Sequence, residues 1–76
     1  MANPAPKKAP RVGDVVLWLD ENLVGKPAMV LEAHTPDKPD SILNLFVVDV
    51  WRQFVMTNVH AGDAIGCWKR RAGWQT

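Results

Sequence analysis

With 76 residues and a single cysteine, the chain has room for one hydrophobic core and for no intrachain disulfide. A hydrophobic content of 47%, including four tryptophans, excludes a disordered chain, and no apolar run approaches the roughly 18 residues that cross a bilayer. The net charge of +1 is unevenly distributed along the chain: residues 12–68 form an acidic body with eight acids and three bases, and the two ends are basic. An acidic body argues against phosphate binding by the body itself.

The first predicted element is an extended arm over residues 1–11. Its sequence, MANPAPKKAPR, contains three prolines and three bases but no large apolar side chain after Met1. Such a segment has polyproline character and gains too little from burial to become ordered, so we expect an arm outside the core. It also lacks the apolar segment of a secretory signal, which predicts assembly in the cytoplasm without export.

Five short strands are predicted after the arm, at residues 15–19, 28–34, 42–50, 54–59 and 65–69. The second run has some helical propensity, but its seven residues between Pro27 and Thr35-Pro36 are too few for an independent helix. The third run is apolar on both faces, so it is predicted at the centre of the sheet. The polar loop over residues 35–41 is predicted to be exposed and mobile.

Five short strands without a convincing helix predict an all-β domain over residues 12–69, either a small barrel or a pair of packed sheets. Residues 70–76 are predicted as a short basic C-terminal tail. The core is expected to contain seven aliphatic side chains together with Phe46 or Phe54. The seven are Val15, Leu17, Val30, Leu45, Val47, Val55 and Ile65.

The sequence contains no pattern typical of a catalytic or metal site. His34, His60, Cys67 and the aspartates Asp37 and Asp63 do not fall at a recognised metal spacing. Cys67 with either histidine could form a nucleophile pair, but a thiol within a strand more often faces the core. A barrel this small also leaves little volume for a ligand-sized cleft. We therefore predict a protein without enzymatic activity and without a cofactor.

The tryptophans and the terminal bases are the candidate binding residues. Trp18 and Trp68, flanked by strand residues, are expected in the core. Trp51 at a turn and Trp74 beyond the last strand are expected to be exposed anchors, since tryptophan is enriched in interface hot spots. The bases of both ends can reach carboxylates or phosphates on another molecule. The predicted partner-binding set is Lys7, Lys8, Arg11, Trp51, Arg52, Lys69, Arg70, Arg71 and Trp74.

Two resemblances extend this interpretation, and the first concerns the fold. The opening Val12-Gly13-Asp14-Val15-Val16-Leu17-Trp18, followed by Lys26-Pro27-Ala28-Met29-Val30, resembles the start of SH3-like barrels, including the Tudor and PWWP chromatin readers. The chain lacks the Pro-Trp-Trp-Pro box and the C-terminal helices, so methyl-lysine reading is not carried over. The resemblance implies a five-stranded SH3-like barrel.

The second resemblance covers most of residues 12–68 and is to small proteins encoded in the structural-gene regions of tailed bacteriophages. It comprises the Gly13-Asp14-Val15-Val16 opening, a central apolar strand leading to Gln53-Phe54, and Gly66-Cys67-Trp68. The final segment departs from that pattern by ending in Lys-Arg-Arg. The resemblance implies a virion structural protein, such as a capsid decoration or cement protein that binds the shell of the major capsid protein.

Two functions are therefore expected as alternatives. The first is a non-enzymatic virion adaptor that docks on a protein shell through its barrel surface and both arms, with no membrane partner and with homo-oligomerisation left open. The second is a small nucleic-acid-binding barrel that uses the basic tails for phosphates and an exposed tryptophan for base stacking. The acidic body disfavours the second, because it would repel a phosphate backbone everywhere except at the tails.

Overall fold

The computed structural model describes residues 8–71 and contains five strands and no helix within that range. The strands form one antiparallel sheet in the order β4-β3-β2-β1-β5. The all-β prediction is confirmed. The SH3-like barrel stays a prediction. The strand bounds are β1 Val15–Leu19, β2 Gly25–Ala33, β3 Leu43–Val48, β4 Gln53–Val59 and β5 Trp68–Lys69.

The core lies on one face of this sheet, where alternate residues of each strand point inward. In β3 the alternation is regular, with Leu43, Leu45 and Val47 fully buried. Trp18 on β1 meets Phe54 on β4 edge to face, with ring centroids 5.4 Å apart. Because β1 and β4 are not neighbours in the sheet, this contact requires the sheet to curl around its core. The buried cluster is Val16, Ala28, Val30, Leu43, Leu45, Val47, Val59 and Trp68.

Trp68 ties the last strand to the rest of the fold. Its side chain is fully buried, and its indole Nε1 donates a hydrogen bond to the carbonyl oxygen of Ser41 at 2.9 Å. Its backbone N donates to His60 O at 2.9 Å, so the chain just after β4 runs beside β5. The predicted core position of Trp68 is confirmed. The loop over 35–41 is fixed at its end, since Ser41 is also buried.

The strand phases correct several core predictions. Val16 faces the core from β1, which leaves Val15 36% exposed and Leu17 half-buried. A strand has a period of two, so an error of one residue in phase moves every side chain to the other face. Val55 is 57% exposed for the same reason, and Ile65 is 62% exposed because it lies in a turn before β5. Val30, Leu45, Val47 and the packing of Phe54 are confirmed.

The position of β3 in the sheet is a second correction. β2 is the central strand, and β3 lies between it and the edge strand β4. The outward side chains of β3 are only partly covered, as Val48 shows with 40% exposure. The run is therefore apolar on both faces although its outward side chains lie at the outer surface of the sheet and are only partly covered.

The arm is not wholly separate from the body. Pro10 is among the fully buried side chains, which corrects the expectation that the arm contributes nothing to the core. Arg11 N donates to the Asp14 carboxylate at 2.8 Å, and Asp14 N donates back to Arg11 O at 3.0 Å. Gly13 N donates to Val30 O at 2.8 Å, so this turn is attached to β2.

Candidate docking surface

Five exposed apolar side chains lie on the connections at one end of the sheet. Two are in the β1–β2 turn, two in the β3–β4 turn and one in the turn before β5. We call this set the loop-end surface. Its members and their exposed fractions are Leu23 (55%), Val24 (50%), Val50 (80%), Trp51 (89%) and Ile65 (62%).

An ion-pair network brings the first two turns together. Lys26 Nζ lies 3.3 Å from Asp49 Oδ1 at the β3–β4 turn and 3.8 Å from Asp20 Oδ2 at the β1–β2 turn. The third turn is attached through Gly66 N, which donates to Leu19 O at 2.8 Å. The three turns therefore share one end of the sheet, next to the end of β1.

Backbone hydrogen bonds to the two aspartates fix the turn conformations. Asp20 Oδ1 accepts from Asn22 N and Val24 N, each at 2.9 Å. Asp49 Oδ1 accepts from Val50 N at 2.7 Å. These bonds are the largest causes that lower the pKa of Asp20 and of Asp49, and the charge of Lys26 lowers both further. Both carboxylates are therefore ionised at neutral pH and hold the turns in place.

Leu23 adds a backbone feature to this surface. Its φ is +60°, a left-handed conformation that residues other than glycine, asparagine and aspartate rarely adopt. Leu23 N donates to Asp20 O at 2.9 Å, so the turn itself stabilises this geometry. An exposed leucine held in a strained conformation contributes little to the core. Such outliers cluster at binding sites.

Trp51 is the most exposed large hydrophobic side chain of the described residues, which confirms its predicted exposure; its role as an anchor stays a prediction. Arg52 follows it in the chain, with its guanidinium carbon 4.9 Å from the centroid of the Phe54 ring. This stacking limits the freedom of Arg52 and places a positive charge beside the turn. Trp51 and Arg52 are thus neighbours on the loop-end surface.

The side chain of Arg70 is engaged within the fold through several contacts. Its Nη2 donates to Pro39 O at 2.6 Å and to Lys8 O at 2.8 Å, and its Nη1 lies 3.8 Å from Asp40 Oδ1. Its guanidinium also lies over the Trp68 ring, 5.3 Å from the centroid. Arg70 therefore joins the arm, the β2–β3 loop and the core.

The structure divides the predicted binding set into two groups. Arg70 and Lys8 meet at the β2–β3 loop, whereas Trp51 and Arg52 lie at the opposite end of β3, about 20 Å away along a strand of that length. Lys8, Arg11, Lys69 and Arg71 are exposed, and Arg71 Nε donates to Val15 O at 3.0 Å. Lys7 and Trp74 lie outside the described residues.

Sequence analysis missed four members of the loop-end surface: Leu23, Val24, Val50 and Ile65. In the first two turns the sequence does point to exposed apolar residues, because Leu23-Val24 and Val50 stand between residues typical of turns. Ile65 carried no such signal, because Ile65 to Lys69 reads equally well as a strand.

A groove of about 580 Å³ lies between residues 8–12, which include the end of the arm, and residues 32–33 and 36–37. Its volume is within the range of ligand sites, so the argument that the fold is too small for a cleft is wrong. Lys8, Arg11, Glu32 and Asp37 are its charged lining residues. Among residues 8–71, no three His, Cys, Asp or Glu side chains are grouped so that they could hold a metal ion.

Comparison of the chain with protein-family models, curated proteins and solved structures found no match. Within the described residues no helix has the length and apolar character needed to span a bilayer.

Proposed function

We propose that this chain is a non-enzymatic docking protein that binds a larger protein assembly through the loop-end surface, with Trp51 as the main anchor. The observation that supports this proposal is the exposure of five apolar side chains on three adjoining turns. The likeness to proteins from phage structural-gene regions makes a virion shell the first partner to test. In that role the chain is a capsid decoration protein on the major capsid protein.

Burial of Trp51 supplies a large part of the binding energy. A tryptophan ring can bury roughly 150–250 Å², which corresponds to about 4–6 kcal/mol before the costs of association. Trp51 is 89% exposed in the free chain, so nearly all of this area is available to a partner. The aspartate and Lys26 contacts order the turns in advance, which lowers the conformational entropy lost on binding.

The charges around the surface indicate what the partner presents. Glu21 and Asp63 are exposed and flank Leu23 and Ile65 along the chain. A complementary partner has an apolar pocket for Trp51 and basic groups at the rim of that pocket. Complementary rim charges of this kind mainly increase the rate of encounter and weaken with salt.

The nucleic-acid alternative has less support from the geometry. Base stacking on Trp51 requires phosphate-binding cations beside it, but Lys8 lies at the opposite end of β3. Arg70 is engaged with Pro39 and Lys8 carbonyl oxygens inside the fold. Arg52 follows Trp51 in the chain and stacks on Phe54, so a single described arginine stands beside the Trp51 ring in sequence.

The test is binding of the tagged chain to particles sedimented from cells that produce it. We expect the native chain to sediment with large symmetric particles, and Trp51→Ala to weaken binding at least about tenfold, which corresponds to roughly 1.4 kcal/mol. Val12→Ala is the matched control, because Val12 is 71% exposed but lies outside the loop-end surface.

A salt titration of DNA and RNA binding completes this test. Tight binding with a steep salt dependence would favour the nucleic-acid alternative. Equal effects of Trp51→Ala and Val12→Ala on particle binding would contradict the assignment of the anchor, and absence of the native chain from all particles would contradict a virion role.

A further inference from the structure

An apolar row crosses the outer face of the sheet. The registers pair Val15 with Met29, Met29 with Phe46, and Phe46 with Val55, so these four side chains stand side by side on four consecutive strands. Val15, Met29 and Val55 are 36%, 46% and 57% exposed, and Phe46 is half-buried. The row is most exposed where it reaches the edge strand β4.

The edge strand lacks the usual protection against pairing. β4 pairs with β3 alone among the strands, and its sequence, QFVMTNV, contains no charged residue and no proline. In natural proteins, lysine, proline, bulges or short length commonly prevent an edge strand from pairing with another chain. A bulge lies at the far end of β4, at Thr57 and Asn58, between the Leu45–Met56 and Leu43–Val59 pairs, and Asn58 there has a φ of +55°. Residues 53–56 precede this bulge and contain no lysine or proline, so they form an unprotected edge.

The hairpin fixes which backbone groups this edge presents. Asp49 N donates to Arg52 O at 2.8 Å, so these two residues form a hydrogen-bonded pair. In an antiparallel ladder hydrogen-bonded and non-hydrogen-bonded pairs alternate, so Phe54 and Met56 direct their N–H and C=O groups to β3. The groups of Gln53 and Val55 consequently point away from β3, toward the free edge, over the part of β4 that keeps a regular register.

We infer that this edge pairs with the same edge of a second copy of the chain, antiparallel and with Val55 on the two-fold axis. In that register Val55 exchanges hydrogen bonds with the partner's Val55. The two apolar rows then join into one continuous row across the dimer.

A second copy fits this edge better than an unrelated strand for two reasons. Pairing centred on Val55 places outward residues opposite outward residues and inward residues opposite inward residues, as an antiparallel sheet requires. The edge is also uncharged, so two identical edges meet without like charges directly opposite each other. A domain of this size moreover has a small core, which dimer formation supplements.

The oligomeric state of the full chain tests the inference. Light scattering coupled to size exclusion, at micromolar and at millimolar protein, is expected to show a dimer for the native chain and a monomer for Val55→Lys. Val15→Lys is the matched control because it places the same charge in the same row, but on β1, which is covered by β5. We expect Val15→Lys to remain a dimer.

A cross-linking experiment tests the register itself. The α-carbons of a hydrogen-bonded antiparallel pair are about 5.5 Å apart, a distance that a disulfide spans. Under mild oxidation Val55→Cys is expected to form a covalent dimer, whereas Val15→Cys, which also retains Cys67, is not. Circular dichroism of each variant verifies that it is folded.

Three results would overturn the inference. A native chain that is monomeric at both concentrations contradicts pairing of any kind. Dissociation by both lysine variants indicates packing through the sheet face instead of through the edge. Equal cross-linking of the two cysteine variants contradicts the two-fold axis at Val55. None of these results depends on particle binding, so the docking proposal is judged separately.

Discussion

Leu45→Ala is the most direct test of the core. Leu45 is fully buried on β3, between Val30 on β2 and Met56 on β4. Truncation removes three carbon atoms, worth roughly 0.8 kcal/mol each, and leaves a cavity between hydrogen-bonded strands that cannot collapse freely. We expect a loss of about 3 kcal/mol. A domain of this size has about 3–10 kcal/mol of unfolding free energy in total, so the change removes a large share of it.

Urea unfolding at fixed protein concentration, followed by tryptophan fluorescence, measures this loss because Trp18 and Trp68 contact the core. The melting temperature should fall by about 10–25 °C. Ile65→Ala is the control, since Ile65 is 62% exposed and surface changes usually stay within about 0.5 kcal/mol. If Leu45→Ala costs less than about 1 kcal/mol, or if Ile65→Ala costs as much, the core described above is wrong.

Two further predictions concern the Arg70 contacts and the acidic turns. Arg70→Ala should release the arm, because the carbonyl of Lys8 loses its donor, and hydrogen exchange of the Ala9 and Arg11 amides should rise; Lys69→Ala, with an exposed side chain, should not change it. The folded-state pKa values of Asp20 and Asp49 lie below the usual 3.8, so their stabilisation is complete above that pH and is lost as the pH falls through the lowered values. An acid titration of Asp49→Asn should therefore show a weaker loss of stability below about pH 4 than the native chain shows, and an equal loss would contradict the role of this carboxylate.

The arm illustrates how far composition alone can be taken. Three prolines and the absence of large apolar residues predict a segment that cannot order itself. The composition describes only the arm's own side chains. Arg70 and the β2–β3 loop, from distant parts of the chain, provide further contacts to the arm. Pro10 is buried because of those contacts. Deletion of residues 1–10 should therefore lower the melting temperature of the isolated chain, and not leave it unchanged as composition alone would predict.

Part of the candidate site could be predicted from the sequence. Trp51 stands out because an aromatic ring in a turn has no local structural role, and its 89% exposure agrees with that interpretation. Of its neighbours on the loop-end surface, Val50 lies in the same turn, and Leu23, Val24 and Ile65 come from two other turns. The proximity of the three turns was not predictable, because it depends on Lys26 reaching both Asp20 and Asp49 and on the hydrogen bond from Gly66 N to Leu19 O.

The sequence by itself determined the all-β class and the approximate positions of the strands, since both follow from local signals: short apolar runs, β-branched residues and turn residues between them. It did not determine which face of β1 or β4 is buried, because Val15, Val16 and Leu17 are all apolar and only pairing with a neighbouring strand selects the phase. Strand order, the unprotected edge of β4 and the engagement of Arg70 are likewise decided by contacts between residues far apart in the chain. Those contacts form only in the folded sheet, so the tertiary structure alone decided them.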